Sequence, residues 1–264
     1  ELTNFFPEKQ TVLEMREGAL TYHDWTELVL LEVPQSLRGH SLLTTIRGRS
    51  REAHLIGAFR KTRYPSSETP DLINLTWSED PRTTQTIQWR TNLEVPDGVV
   101  RYRVGNNGAG GDLTEIEATC MQIDDRLLCN DRFCHRFTAI LRDLKPATTY
   151  VYCVGSPLRN SWSDQREFTT ASDGDGPFSF VYLGDTHRSP IPGQLLKRAL
   201  ERCPDAAFCT LAGDLVSTGL YRNEWDQFFT HLNHFSCERP LVPAIGNHDD
   251  QEGLGASRYL KMFA

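Results

Sequence analysis

Three short apolar runs in the last third of this 264-residue chain each end in a glycine that is followed by side chains with oxygen or nitrogen donor atoms. The runs are 178–183, 206–212 and 241–245, and they lead into Gly184-Asp185-Thr186-His187, Gly213-Asp214 and Gly246-Asn247-His248-Asp249. The segments between the runs, 192–202 and 221–235, carry apolar residues at helical spacing. This alternation of strand and helix predicts a parallel α/β layer.

We expect the donor side chains of these groups to meet at one edge of the predicted sheet. Ligands of open α/β sheets bind beyond the carboxyl ends of the strands, where all three groups lie. The donors are Asp185, His187, Asp214, Asn247 and His248. Carboxylate, amide and imidazole groups without a thiolate suit divalent ions such as Mn, Zn, Fe or Mg. One Gly-Asp pair after a strand is typical of a turn, but three groups in this arrangement predict a metal centre.

Regularly spaced segments in which apolar and polar residues alternate fill the region 66–171. They are 72–77, 86–91, 99–104, 135–141, 149–154 and 166–170. Alternation is typical of half-buried strands, so this region predicts an antiparallel β-sandwich.

The regions on either side of the sandwich are interpreted from their composition. Short aliphatic segments at 27–33, 41–46 and 53–59 are separated by proline and glycine, so residues 1–65 predict a β-rich N-terminal segment. The polar, glycine-rich stretch 171–177 predicts a linker, and the α/β domain then occupies 177–264.

The balance of charge restricts the kind of partner. The chain has 28 Lys and Arg residues against 35 Asp and Glu residues, which gives a net charge of −7. Such a chain lacks the broad positive field with which proteins bind nucleic acid or an anionic membrane. A small anionic substrate is compatible with it, because bound metal ions dominate the charge of a local site. No apolar run approaches the roughly 20 residues that cross a bilayer, so no transmembrane segment is predicted.

The cysteines and the first residues of the sequence indicate whether the protein is exported from the cell. Three of the seven cysteines, Cys120, Cys129 and Cys134, lie where a disulfide could pin a long loop, and they could equally be free thiols. An odd number leaves at least one cysteine without a partner inside the chain. The sequence begins at Glu1 without an initiator Met, and Asn74-Leu75-Thr76 matches a glycosylation acceptor, so we expect an exported protein.

The three polar groups together resemble a known signature. Asp185-x-His187, Gly213-Asp214-x4-Gly219 and Gly246-Asn247-His248-Asp249 are similar to the motifs of the calcineurin-like metallophosphoesterase superfamily. The resemblance covers roughly 177–264 and implies a site with two divalent metal ions. It implies that Asp185 and His187 hold one ion, Asp214 bridges both, and Asn247 holds the second. His248 would stand beside the leaving group as a proton donor or a positive partner for the transition state.

The preceding region carries a second resemblance. The segment 144–150, which ends in Tyr150, resembles the tyrosine corner of a fibronectin type III domain, and Trp77 fits the core tryptophan of such domains. A fibronectin-like domain in front of this catalytic signature is similar to the arrangement in purple acid phosphatases and their bacterial relatives.

Two features depart from that family pattern. Purple acid phosphatases carry a tyrosinate three residues after the bridging aspartate, whereas this chain has Ser217 there, which predicts a colourless site. The family also completes its site with later histidines, and no histidine follows His248 in this sequence. We therefore expect this chain to be the N-terminal portion of the enzyme, ending within the first half of the α/β domain, and to be inactive alone.

The resulting functional hypothesis is an exported metallophosphoesterase that hydrolyses phosphate esters with a hydroxide activated by two metal ions. A phosphomonoester substrate is favoured, and a phosphodiester is the alternative within the superfamily. The alternative from another class is a non-catalytic binding or adhesion module, or a pseudo-enzyme, because the later histidine ligands are lacking.

Overall fold

The computed structural model describes residues 60–105, 112–125, 128–187, 189–250 and 256–263, together with the backbone of four short strands before residue 31. The chain forms two compact units, Glu1–Arg60 and Lys61–Ala264. In the first unit β1 (Leu2–Asn4) pairs with β4 (Leu28–Leu30), and β2 (Glu14–Arg16) pairs with β3 (Ala19–Thr21), both antiparallel. Strand β4 lies within the predicted segment 27–33, whereas the segments 41–46 and 53–59 lie outside the described residues.

The second unit begins with the predicted β-sandwich. Its strands are β5 (Asp71–Thr76), β6 (Gln85–Thr91), β7 (Val99–Val104), β8 (Thr114–Glu117), β9 (Thr119–Asp124), β10 (Phe133–Leu141), β11 (Thr149–Ser156), β12 (Ser161–Trp162) and β13 (Arg166–Thr169). One antiparallel sheet has the order β5-β6-β10-β9, and the other has the order β12-β11-β7-β8 with β13 also on β11. The sequence missed β8, β9 and β12, which are short or largely exposed.

Two aromatic residues define the sandwich core, and only one of them was predicted. The hydroxyl oxygen of Tyr150 accepts a hydrogen bond from the Lys145 backbone N–H at 2.8 Å, which is the geometry of a tyrosine corner. The prediction that Trp77 is the core tryptophan is wrong. Trp89 is fully buried and stacks on Phe137 at 5.3 Å, whereas Trp77 lies just beyond β5 and is only partly buried.

The α/β part follows the predicted order. Its elements are β14 (Ser179–Leu183), α1 (Ile191–Arg202), β15 (Ala206–Ala212), α2 (Arg222–Ser236), β16 (Leu241–Ala244), α3 (Asn247–Asp250) and α4 (Tyr259–Met262). The three strands form a parallel sheet in the order β14-β15-β16, which confirms the α/β prediction. Within the described residues, no helix has the length and apolar character required to cross a membrane.

Strand β14 is not buried on both faces as its apolar run predicts. Val181 and Leu183 pack against the core that α1 and α2 cover. Phe178, Phe180 and Tyr182 alternate with them and are 69%, 50% and 66% exposed. The apolar run therefore reflects one covered face and one aromatic face that is open in the described part of the chain.

Strands β5 and β6 are more deeply buried than their sequence pattern predicts. The sequence predicts half-buried strands, yet nearly every residue of both strands is buried. The reason is that α2 packs across β5, so polar side chains such as Asn74, Gln88 and Arg90 are enclosed between the sandwich and the α/β part. Alternation of polar and apolar residues marks the two faces of a strand but not which face another element covers.

A cluster of charged side chains fills this contact. Arg90 lies 2.9 Å from the carboxylate of Asp226 on α2, and Asp226 also lies 3.5 Å from Arg222. Arg222 is fully buried and donates a hydrogen bond to Asp131 of the sandwich. These ion pairs fix the start of α2 against the sandwich, which matters for the site described next.

All seven cysteines lie in the described part of the chain, and no two of them form a disulfide. The disulfide considered for the loop at Cys120, Cys129 and Cys134 is therefore not formed. Disulfides are typical of oxidising compartments, so these thiols lend no support to export, which stays a prediction.

Candidate metal centre

The three strand ends are tied to one another by hydrogen bonds. Because β14, β15 and β16 are parallel, their carboxyl ends meet at one edge of the sheet. The backbone N–H of Asp185 donates to the carbonyl oxygen of Gly213 at 3.0 Å, and that of His187 donates to the carbonyl oxygen of Asp214 at 2.8 Å. The backbone N–H of His248 donates to Asp214 Oδ1 at 3.0 Å. Asp214 is thus the point at which the three ends join.

Donor atoms converge at this edge. His187, Asp214 and His248 each offer one ligand atom, and these atoms all lie within 4.8 Å of one another. Asp185 joins them through an Oδ1 atom that lies 2.9 Å from His187 Nε2. Asn247 is exposed at the first position of α3, between Gly246 and His248. His248, which the sequence assigns to proton transfer, lies as close to Asp214 and His187 as a metal ligand would.

Three of these donor residues have a left-handed backbone conformation. Asp185, His187 and Asp214 have φ angles of 54°, 42° and 50°. Residues other than glycine rarely adopt this left-handed region, and each instance costs on the order of 1–3 kcal/mol. Such conformations persist where the surrounding structure enforces them, and they cluster at functional sites. The strain is independent support for a site at this edge.

Gly246 must be glycine because the carboxylate of Asp214 lies very close to its Cα atom. A Cβ atom on Gly246 would lie 2.1 Å from Asp214 Oδ1. The sequence predicts the glycines as points where the chain turns sharply after a strand. At Gly246 the structure shows a further reason, because only a residue without a side chain leaves room for the Asp214 carboxylate.

The imidazole of His248 has a defined orientation. Its Nδ1 atom lies 2.9 Å from the carbonyl oxygen of Ser217. A carbonyl oxygen only accepts hydrogen bonds, so this contact requires the hydrogen of the neutral imidazole to be on Nδ1. In that tautomer Nε2 carries the lone pair, so Nε2 is the nitrogen that can bind a metal ion or accept a proton.

Asp249 is the motif residue whose role the sequence did not identify. Its carboxylate is buried and accepts hydrogen bonds from the backbone N–H groups of Leu215, Val216 and Gly246 at 2.9, 3.1 and 3.0 Å. Burial raises the pKa of Asp249, although these backbone hydrogen bonds favour the ionised form. Its position in the motif beside His248 was the available signal, but a backbone contact 34 residues away leaves no pattern in the sequence.

The donor set fits a divalent cation. Two carboxylates, one amide and two imidazoles are available at the three strand ends, and none of these donors is a thiolate. The convergence of His187, Asp214 and His248 within 4.8 Å is the observation that favours a metal ion.

Comparison with known families agrees with this geometry. Residues 70–170 match the model of the purple acid phosphatase N-terminal domain, and residues 178–263 match the model of the calcineurin-like phosphoesterase.

The chain aligns with only part of the length of each of these relatives. The chain is 26% identical to probable inactive purple acid phosphatase 1 of Arabidopsis thaliana in an alignment of 136 residues that covers 42% of this chain and 21% of that protein. It is 26% identical to the uncharacterized protein Rv2577 of Mycobacterium tuberculosis in an alignment of 209 residues that covers 71% of this chain and 37% of that protein.

A solved structure shares the fold. Purple acid phosphatase PPD1 from yellow lupin seeds superposes with a TM-score of 0.61 at 20% identity, over 75% of this chain and 41% of that one. Both domain models match in order, so the chain carries a region similar to the purple acid phosphatase N-terminal domain followed by a region similar to the calcineurin-like phosphoesterases.

Proposed function

We propose that the protein hydrolyses phosphate esters with the help of bound divalent metal ions. The observation that carries this proposal is the convergence of the donor atoms of His187, Asp214 and His248 within 4.8 Å at the strand ends of a phosphoesterase domain. A bound divalent ion supplies Lewis-acid chemistry there, since it acidifies water and stabilises charge on phosphoryl oxygens.

We assign the ligands as the resemblance implies. Asp185 and His187 would hold one ion, Asp214 would contribute to both, and Asn247 would hold the second. A carboxylate such as that of Asp214 can offer an oxygen to each of two ions, whereas a neutral imidazole has only one lone pair to offer. The ion at each position is Mn, Zn, Fe or Mg, all of which accept these donors.

His248 acts on the leaving group. With Nδ1–H engaged by the Ser217 carbonyl, Nε2 is the atom that can carry a proton towards the ester oxygen. A protonated imidazole there stabilises the charge that develops on that oxygen, or transfers its proton to it. A phosphomonoester is the favoured substrate, because the order of the two domains is similar to that of purple acid phosphatases.

Ser217 replaces the tyrosinate of the purple enzymes, so the metal-loaded protein is proposed to be colourless. Iron-loaded protein with a strong visible absorption band from iron–tyrosinate charge transfer would contradict this assignment.

The experiment compares two generic substrates. The full-length gene product is stripped with a chelator, reloaded separately with Mn, Zn, Fe(II) or Mg, and assayed with p-nitrophenyl phosphate and bis(p-nitrophenyl) phosphate. We expect metal-dependent hydrolysis with the monoester as the faster substrate. A faster diester would assign the protein to the phosphodiesterases instead.

A non-catalytic role is the second candidate. The plant relative named a probable inactive purple acid phosphatase favours it, because that protein matches this chain at 26% identity. Metal binding without turnover of either ester would support this role and contradict the enzymatic proposal.

A further inference from the structure

Four consecutive backbone N–H groups after Asp214 are held by two buried carboxylates. Asp249 accepts from the first two, at Leu215 and Val216. Glu224 on α2 accepts from the next two through its Oε2 atom, at 2.8 Å from the nitrogen of Ser217 and 3.0 Å from that of Thr218. Glu224 is 3% exposed, so this contact is shielded from water.

The hydrogen bond from Thr218 to Glu224 links this carboxylate to His248 through one peptide group. The N–H of Thr218 and the carbonyl of Ser217 belong to the same peptide group. That group is planar and trans, so its N–H and its C=O point in opposite directions. Glu224 holds the N–H end, and His248 Nδ1 lies 2.9 Å from the oxygen at the other end. A single rigid unit therefore joins the carboxylate of Glu224 to the imidazole of His248.

We propose that Glu224 is a positioning residue that orients His248 through the Ser217–Thr218 peptide group, an inference that rests on the proposed function of this site. The carboxylate fixes the plane of the peptide and so the direction of the Ser217 carbonyl. Its negative charge beside the N–H also polarises the peptide, which strengthens the carbonyl as an acceptor for Nδ1–H. Nε2 is thereby kept directed to the metal centre.

The helix that carries Glu224 is anchored from both sides. The Arg222 backbone N–H donates to Asp125 of the sandwich at 3.1 Å. Trp225 donates from Nε1 to the carbonyl oxygen of Gly219 at 2.7 Å, which holds the far end of the same loop. Glu224 lies between these contacts in sequence, so its carboxylate is presented from a fixed backbone.

The test uses Glu224→Ala, which removes the acceptor, and Glu224→Gln, which keeps one acceptor oxygen but not the charge. Glu201→Ala on the exposed surface of α1 is the control. The first readout is NMR of the metal-free protein, with amide exchange at Ser217 and Thr218 and the Nδ1–H signal of His248. We expect exchange at both amides to rise by about 10-fold in Glu224→Ala. The Nδ1–H signal should be lost, and Glu224→Gln should lie between wild type and Glu224→Ala.

The second readout is turnover of p-nitrophenyl phosphate by the metal-loaded full-length protein. We expect kcat to fall by about 10- to 100-fold in Glu224→Ala while KM stays within about 2-fold, with most of the loss recovered in Glu224→Gln. A folded Glu224→Ala variant with unchanged amide exchange and an unchanged Nδ1–H signal would overturn the proposal. An NMR change with unchanged kcat would also overturn it.

The two proposals fail in different ways. If wild type has no phosphoesterase activity, the proposed function fails, and the NMR readout still decides whether Glu224 orients His248. If Glu224→Ala does not fold, Glu224→Gln decides. We then expect several-fold faster exchange at Ser217 and Thr218 and a shifted Nδ1 resonance, and wild-type values would contradict the proposal.

Discussion

The Nδ1 atom of His248 and the carbonyl oxygen of Ser217 lie 2.9 Å apart. This contact joins the segment after β16 to the loop that follows β15 and Asp214. It sets the tautomer of the imidazole, in which Nε2 carries the lone pair. Because Asp214 also accepts the backbone N–H of His248 at 3.0 Å, the proposed metal ligand Asp214 and the proposed proton donor His248 are positioned by one connected group of hydrogen bonds.

The close approach at Gly246 predicts a defect in metal binding. Alanine there would place a Cβ atom 2.1 Å from Asp214 Oδ1, so the carboxylate or the loop must move. We expect Gly246→Ala to lower metal affinity by at least about 10-fold, measured by isothermal titration calorimetry with Mn or Zn.

Gly176→Ala is the matched control. A Cβ atom on Gly176 meets nothing within 4 Å, so this variant should bind metal like wild type. Equal affinity of Gly246→Ala and Gly176→Ala would show that Asp214 does not contribute to metal binding in the conformation described here.

The buried charges between the sandwich and α2 predict a large loss of stability. Asp226 is 1% exposed and lies beside Arg90 and Arg222, both of which are also buried. Asp226→Ala leaves these two guanidinium groups without their shared carboxylate. We expect the free energy of unfolding in urea to fall by about 3–5 kcal/mol, as for other buried ion pairs that lose one partner.

The control for this variant is Glu79→Ala at an exposed ion pair with Arg142, where the side chains are 39% and 54% exposed. We expect no measurable change in its urea midpoint, since exposed pairs contribute little. A wild-type midpoint for Asp226→Ala would mean that the cluster does not hold the two parts together.

The cysteine thiols should differ in their reactivity towards alkylating reagents. Burial raises the pKa of Cys209 from 9.0 to about 12, and it raises the pKa of Cys134 and of Cys237 to about 11. Cys129 and Cys203 are exposed. In native protein at pH 8, iodoacetamide should label Cys129 and Cys203 within minutes and leave the three buried thiols intact, as read by peptide mass spectrometry. Rapid labelling of Cys209 in folded protein would contradict the described packing.

The same shift predicts a loss of stability in alkali. The folded-state pKa of the Cys209 thiol, about 12, is above its ordinary value of 9.0. Its contribution is complete below pH about 9 and is lost as pH rises towards 12, because the unfolded chain releases this proton first. Urea midpoints measured from pH 8 to 11 should fall, and Cys209→Ala should flatten the fall.

The fold and the donor set could largely be predicted from the sequence. Strand β15 and the helices α1 and α2 are local patterns, and their predicted bounds agree within one residue. Gly-Asp groups after parallel strands must share an edge, so the proximity of Asp185, His187, Asp214 and His248 also follows from local patterns.

What the sequence did not predict depends on contacts between distant segments. Trp77 and Trp89 both follow a strand pattern, but Trp89 lies on the face of β6 that packs against the second sheet, whereas Trp77 lies just beyond β5 and contacts Phe208 of the α/β part. Glu224 is one acidic residue in the first turn of a helix, where such residues are common. Its contact with Ser217 and Thr218 exists because α2 is held against the sandwich by Arg222, which no periodicity records.

The most direct test of the metal-dependent hydrolysis proposed here is the turnover of p-nitrophenyl phosphate by full-length Asp214→Asn protein reloaded with Mn. Asparagine keeps the size of the side chain but cannot act as an anionic ligand to two ions. We expect a loss of at least about 100-fold in kcat/KM relative to wild type, with wild-type activity in the control Asp205→Asn at an exposed position. Turnover by Asp214→Asn equal to that of wild type would contradict the central role given to Asp214.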